Sequence, residues 1–463
     1  MKTRIVSLAM AVSAGLFGAE GWVLSSAPQA ADAATGSERA GGVLELRIPS
    51  KRACGWWTRT FAIDPAQGGA RFTARAEIAC DVASDRPYND VMMYVTWHFP
   101  KDGVTRKGAF FQRDFIAYTD RVEDGRTVRT FDELYAAPAG CDSVSVEFIG
   151  KWHAMTARIS DVAVASVPPP KPRKVRCVVG NPHQKSVFWR APGFENTAKG
   201  WEDPDAVVAS RLWQIEATLT NIFAHVEHPD IILFSETFVQ TGGSPVPERT
   251  DELVPGGPSF ALAAKYAKRH HTYIAMNVRE RTPEGTHHNS TFIVDREGRH
   301  VGTYRKVTLT SGEYQGGIVP GDGFKVFELD FGRVGCLTCW DNWFSESMKF
   351  SRRNGAELLL FPLAGCAPDH VDITFPARAI DCGIPILVAM RQGWLPNGII
   401  DRDGTWIAKT FEDNGFAWAD LDLNERKRTC WLSVGAGQGD PYELYLDESR
   451  PELYEKQTYG PRR

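Results

Sequence analysis

The chain has 463 residues, 43% of them hydrophobic, which is too long for one ordinary small domain and ample for more than one core. Its formal net charge is -4. No basic excess therefore argues for a nucleic acid or an anionic membrane as partner.

At the start, Lys2 and Arg4 precede an apolar run from Ile5 to Leu24, and small residues follow. This is the layout of a secretory leader, residues 1–33, with cleavage after Ala33 in "ADA". The alternative is an uncleaved anchor, although Glu20 interrupts the run. A secreted or periplasmic location is expected. Export permits disulfides, and the nine cysteines are an odd number, so at least one stays outside any pair. Cys54, Cys80 and Cys141 are candidates for one bridge, and their spacing does not say which two.

From Gly42 to Val167 short alternating runs such as "VLELRI", "RFTARAEI", "DVMMYVTWHF" and "SVSVEFIG" are separated by Gly, Pro and Asp turns. They predict a small all-β sandwich over 42–167. The Pro-rich stretch at 168–174 reads as a stiff linker. Beyond it, strands alternate with helices, which predicts an α/β domain over 175–454. The strands are "VRCVVG", "DIILFSE", "TYIAMNV", "AELLLF" and "IPILVAM", with hairpins at "DREG" and "DFGR" and a pair in "NGIIDRDGTWIA". Helices are expected over Asp205–Val226, Phe260–Arg269, Glu346–Arg353 and Val371–Asp381.

Cys336 and Cys339 form a C-x-x-C in "GCLTCWDNWF". If "VGCLTC" is a strand, side chains three apart point to opposite faces, so a shared disulfide or metal is disfavoured. Zinc lacks a second suitable pair, because His270, His271, His287 and His288 are adjacent doublets. Cys339 ends the strand just before a turn, where a nucleophile is lifted out of a sheet, and Cys336 reads as packing.

"DIILFSETF" ends a strand with Glu236, and "GTYRKVTLTSGEY" ends another with Lys306 and carries Glu313 seven residues on. In this order, with "HNSTFIVDREG", "GAELLLFP", "ARAIDCGIPILVA" and "NGIIDRDG" in support, these stretches resemble the nitrilase, or carbon-nitrogen hydrolase, superfamily. The resemblance implies a four-layer αββα sandwich and a catalytic set of Glu236, Lys306 and Cys339, with Glu313 beside the lysine. It implies hydrolysis of an amide, N-carbamoyl amine or nitrile through a cysteine thioester, with no cofactor or metal. The family uses the backbone N–H just after the nucleophile, here that of Trp340. "CWDNWF" is similar to the N-carbamoylputrescine amidase branch, whereas the step from Lys306 to Glu313 also fits nitrilases, so the substrate stays open.

Trp340, Trp343 and Tyr314 are assigned to a substrate wall, with core packing as the alternative for the tryptophans. Asp341 is read as orienting the turn. In the first domain, which weakly resembles jelly-roll accessory modules, Trp56, Trp57, Trp97, Phe110 and Phe111 either form a carbohydrate-binding platform or fill the sandwich. A homo-oligomer acting on a small-molecule substrate is expected. The competing reading is a secreted carbohydrate- or partner-binding protein whose hydrolase fold is inactive.

Overall fold

The computed structural model describes residues 21–27, 32–80, 91–99, 112–182, 204–240, 250–392, 395–430 and 438–439. Two compact units are present. One contains residues up to Pro170 together with those from Arg428 onward, and the other spans Lys171–Lys427.

The first unit is a β-sandwich. One sheet has six strands and contains Val43–Ile48, Gly69–Cys80, Arg126–Ala136 and Met155–Val167; the other has seven and contains Gly55–Ala62, Val91–His98 and Ser143–Gly150. Period-two alternation builds the core: Leu44, Leu46 and Ile48 are buried while Arg47 between them is exposed. Trp57 and Trp97 lie in this core at 5% and 0% exposure. For those two rings the alternative that they fill the sandwich is the one found, since a sugar platform must face solvent. Trp56 is half-buried, and Phe110 and Phe111 lie outside the described residues.

Two segments differ from the sequence reading. Val23–Ser26, inside the expected leader, forms an edge strand paired with Gly55–Thr58, and Trp22 packs on Phe61 and Phe148 at 6.0 and 5.7 Å. Cleavage after Ala33 would remove that strand. The expected second domain ran to residue 454, yet Thr429–Cys430 and Gln438–Gly439 pair within the seven-stranded sheet of the first unit. Arg428 fixes this return by bonding Asp114, a fully buried carboxylate that also accepts the Trp97 indole N–H at 2.6 Å.

Among the described residues the second unit has twelve strands in two sheets. The first sheet holds β1 (Lys174–Asn181), β2 (Ile231–Leu233), β3 (Tyr273–Arg281), β4 (His287–Val294), β5 (His300–Arg305) and, at the far end of the chain, β12 (Gly415–Asp422). Their order is β5-β4-β3-β2-β1-β12. The second sheet runs β6 (Val326–Leu329), β7 (Gly332–Cys336), β8 (Leu358–Leu363), β9 (Ile386–Met390), β10 (Asn397–Ile400) and β11 (Trp406–Thr410). In each sheet the central pairs are parallel and the outer ones antiparallel.

The sheets meet through β1 against β9 and β10. Helices α1 (Pro204–His225) and α2 (Pro258–His270) cover the first sheet, burying Ile215, Leu219 and Ala267 against Val178, Ile232 and Ile274. After a short helix α3 (Ser311–Gln315), helices α4 (Ser345–Arg353) and α5 (Val371–Cys382) cover the second. The result is the expected αββα order, and the buried central strands explain the continuous apolar runs of "IILF" and "LLLF". Among the described residues no helix is long and apolar enough to cross a membrane.

Candidate active site

The chain beyond the C-terminal ends of β2, β5 and β7 converges on a pocket of about 390 Å³ lined by Glu236, Lys306, Glu313 and Cys339. Glu236 follows β2 by three residues and is buried. Lys306 follows β5, its N–H still paired to the Asn289 carbonyl at 2.8 Å, and its side chain is fully buried. Glu313 is the third residue of α3. There a capping box with Thr310 turns its carboxylate back toward the strand end: Glu313 Oε2 accepts the Thr310 N–H at 2.8 Å.

Lys306 Nζ donates to Glu236 Oε1 at 3.1 Å and to Glu313 Oε1 and Oε2 at 3.0 and 2.9 Å. Asn289 Nδ2 donates to Glu236 Oε1 at 2.7 Å and to Glu313 Oε1 at 2.8 Å. The second oxygen of Glu236 accepts the Ala364 N–H at 2.7 Å. Burial alone pulls the Lys306 ammonium down, but Glu236, Cys339 and Glu313 together outweigh it and hold the lysine well above its usual value. Burial likewise opposes ionisation of Glu313, and Lys306 with the Thr310 and Asn289 donors reverses that, leaving the carboxyl below its usual value.

Cys339 opens a 3-10 turn (Cys339–Trp343) three residues beyond the end of β7. Its φ is +45°, in the left-handed region that non-glycine residues rarely occupy. Asp341 holds this turn, as expected: it is fully buried and accepts the Thr338 N–H and the Tyr304 hydroxyl at 2.9 and 2.7 Å. The Cys339 thiol is pushed up to about 12, first by burial and then by the Glu236 charge, with Lys306 and the Ala364 N–H pulling the other way. At neutral pH it is a protonated thiol beside a carboxylate that can take its proton. Cys336 is fully buried at the end of β7 and does not line the pocket.

The expected substrate wall is not formed by the residues assigned to it. Tyr314, Trp340 and Trp343 are 57%, 39% and 43% exposed, and none lines the pocket. Tyr314 follows Glu313 on a helix, so the two side chains diverge. Trp340 packs on Trp343 and Phe344, and Trp343 on His370, at ring distances of 5.9, 6.3 and 5.2 Å. Among the described residues the walls include Thr237, Arg279, Ile318, Ala364 and Arg391. Arg391 follows β9 and donates to the Glu236 carbonyl at 3.3 Å and to Thr237 Oγ1 at 2.8 Å. Its signal in the sequence was a polar residue at the end of an apolar strand, the same feature that marks Glu236. Asn289, within "HNSTFIV" on β4, carries no sequence signal of its own. Among the described residues no cluster of three or more His, Cys, Asp or Glu is arranged to hold a metal ion.

Such a site can move a proton between sulfur and carboxylate and stabilise an anion next to a fixed ammonium. Comparison with known proteins agrees with that chemistry. A family model described as carbon-nitrogen hydrolase matches residues 197–429. The chain is 38% identical over 223 residues to an N-carbamoylputrescine amidase of Arabidopsis thaliana, covering 41% of this chain and 73% of the relative. It is 30% identical over 196 residues to a citrullinase of Francisella tularensis, covering 36% and 64%. Among solved structures, the NitN amidase from Neterenkonia sp. AN1 aligns with a TM-score of 0.47 at 18% identity, over 61% of this chain and 98% of that one. With its family model spanning half of the sequence, the chain belongs to the carbon-nitrogen hydrolase family.

Proposed function

We propose that this carbon-nitrogen hydrolase cleaves an amide or N-carbamoyl amine through a thioester on Cys339. The observation that carries the reading is the shared pocket in which Cys339 and Glu236 stand together, the Glu236 charge acting on the thiol, with the Ala364 N–H on Glu236 Oε2 at 2.7 Å and Lys306 Nζ 3.1 Å from the same carboxylate. Glu236 takes the thiol proton as sulfur attacks the carbonyl carbon. The oxyanion is met by the Lys306 ammonium and the Trp340 backbone N–H. The C–N bond then breaks, Glu236 returns the proton to the leaving nitrogen, and a water activated by Glu236 hydrolyses the thioester. Glu313 keeps Lys306 charged throughout.

The names of the relatives support carbamoyl and amide substrates ahead of nitriles. A panel of simple amides, N-carbamoyl amines and nitriles, read as ammonia release, tests this. Turnover of the first two classes that vanishes in Cys339→Ala supports the reading; turnover confined to nitriles, or surviving that substitution, contradicts it. The leader-like start supports an extracytoplasmic place for the reaction, checked by cell fractionation. Assembly as a homo-oligomer, checked by light scattering, completes this reading.

A further inference from the structure

We infer that Asn289, set by Asn277, is a positioning residue that keeps Glu236 and Glu313 ionised together. The inference rests on Glu236 being the base of the proposed reaction. Two carboxylates share one lysine here, and like charges at that separation ordinarily drive one of them to take up a proton. Lys306 neutralises only one charge. Arg391, which bonds the Glu236 backbone carbonyl, adds a second cation that bears on Glu236 and on the Cys339 thiol. Among the neutral side-chain donors, Asn289 reaches both acids: its single NH2 group gives one N–H to Glu236 Oε1 and the other to Glu313 Oε1.

That arrangement requires the amide to face one way, and the chain fixes which. A backbone N–H can only donate, so the Thr237 N–H, 2.8 Å from Asn277, must meet the Asn277 oxygen. The Asn277 NH2 then points the other way, toward Asn289 Oδ1 and Thr291 Oγ1, both at 2.9 Å. With its oxygen so engaged, Asn289 presents its NH2 to the two glutamates. The orientation is passed from the backbone, through two buried amides, to the charge state of the site. Thr237 is itself the residue after Glu236 and has φ +44°, so the segment that carries the base also starts the relay.

The test uses the full chain with Asn289→Asp and Asn277→Asp. Asn289→Asp puts a third carboxylate where the donors were. Asn277→Asp touches neither glutamate, but its second oxygen repels Asn289 Oδ1 and favours the flipped amide, whose oxygen then faces the acids. Both take donors away from the paired carboxylates and bring negative charge toward them, so the acid limb of kcat/KM moves up by about one pH unit or more. The same limb is read without any substrate from the pH dependence of Cys339 alkylation by iodoacetamide, followed by intact mass.

A purely structural role for the two asparagines predicts lower stability and lower kcat with the acid limb unmoved, and that result overturns the inference. Should Asn289→Asp fail to fold, Asn277→Asp carries the test. If no amide is turned over but the alkylation limb moves, the substrate reading falls and the relay stands. If amides are turned over with one acid limb in wild type and variants, the relay falls and the substrate reading stands.

Discussion

Tyr304 donates its hydroxyl to Asp341 at 2.7 Å, tying the strand that delivers Lys306 to the turn that presents Cys339. The other Asp341 oxygen accepts the Thr308 N–H at 2.9 Å, so the carboxylate grips the chain on both sides of the lysine. Burial raises the Asp341 carboxyl and, more strongly, the Tyr304 phenol, so the contact is paid for in desolvation and returned as geometry.

Tyr304→Phe keeps the ring and removes this hydrogen bond together with the longer one that the hydroxyl accepts from the Val307 N–H at 3.4 Å. The expected loss of stability is about 1–2 kcal/mol by urea unfolding. A drop in kcat of about tenfold should accompany it, because the nucleophile and the ammonium are no longer held in register. Wild-type values for both would show that the contact positions nothing.

The two cysteines of the C-x-x-C separate by consequence. Cys339→Ala should abolish turnover in a folded protein. Cys336→Ala should keep turnover and lower stability by roughly 1 kcal/mol, as loss of a small buried group does. Equal loss of activity in both folded variants would return the pair to consideration as one functional unit.

Stability should fall at acid pH partly through Glu313. Its folded value lies below the ordinary 4.5, so its contribution is present above that pH and is lost as pH falls through the folded value. Cys339 acts at the other end. Its thiol is raised from 9.0 to about 12, so stability is intact below pH 9 and declines as pH climbs toward 12. Urea midpoints measured across pH should therefore show a flatter acid side in Glu313→Gln and a flatter alkaline side in Cys339→Ala. Unchanged curves in both variants would contradict these assignments.

Asp114 should govern how the C-terminal return is held in the first unit. Asp114→Ala removes the buried carboxylate between Trp97 and Arg428 and should cost about 3–5 kcal/mol. Trypsin should then cut near Lys427 and Arg428 faster than in the wild type. Equal cleavage rates would show that the return is held by other contacts.

The sequence was most informative where chemistry forces residue type and place together. Glu236 and Cys339 follow buried strands of parallel pairs and Lys306 follows the antiparallel edge strand His300–Arg305, and these strand ends meet in space. The four-layer architecture was legible for the same reason, since buried parallel strands show as unbroken apolar runs between amphipathic helices. What escaped were partners distant along the chain. Gly415–Asp422 pairs with Lys174–Asn181 more than two hundred residues earlier, and the strand at Gln438–Gly439 joins the opposite unit from the one its position suggests. Period-two patterning marks such a strand but does not name its neighbour.

The aromatics misled for a local reason. Trp340 and Trp343 adjoin the nucleophile in sequence, but a tight turn sends consecutive side chains in different directions, and these rings pack on each other at the surface, tilted by 49°. Asn277 and Asn289 were invisible because an asparagine inside a strand carries no signature until its hydrogen-bond partners are known.

The central claim is that Cys339 carries the acyl group between C–N cleavage and hydrolysis. Rapid-quench intact-mass analysis of the enzyme with a turned-over amide or N-carbamoyl amine tests it most directly, with Glu236→Gln used to slow deacylation. The account predicts an acyl adduct on the peptide containing Cys339, absent from Cys339→Ala, that forms and decays at rates consistent with turnover. Continued turnover by Cys339→Ala, with no adduct on the wild-type protein at any quench time, would contradict it.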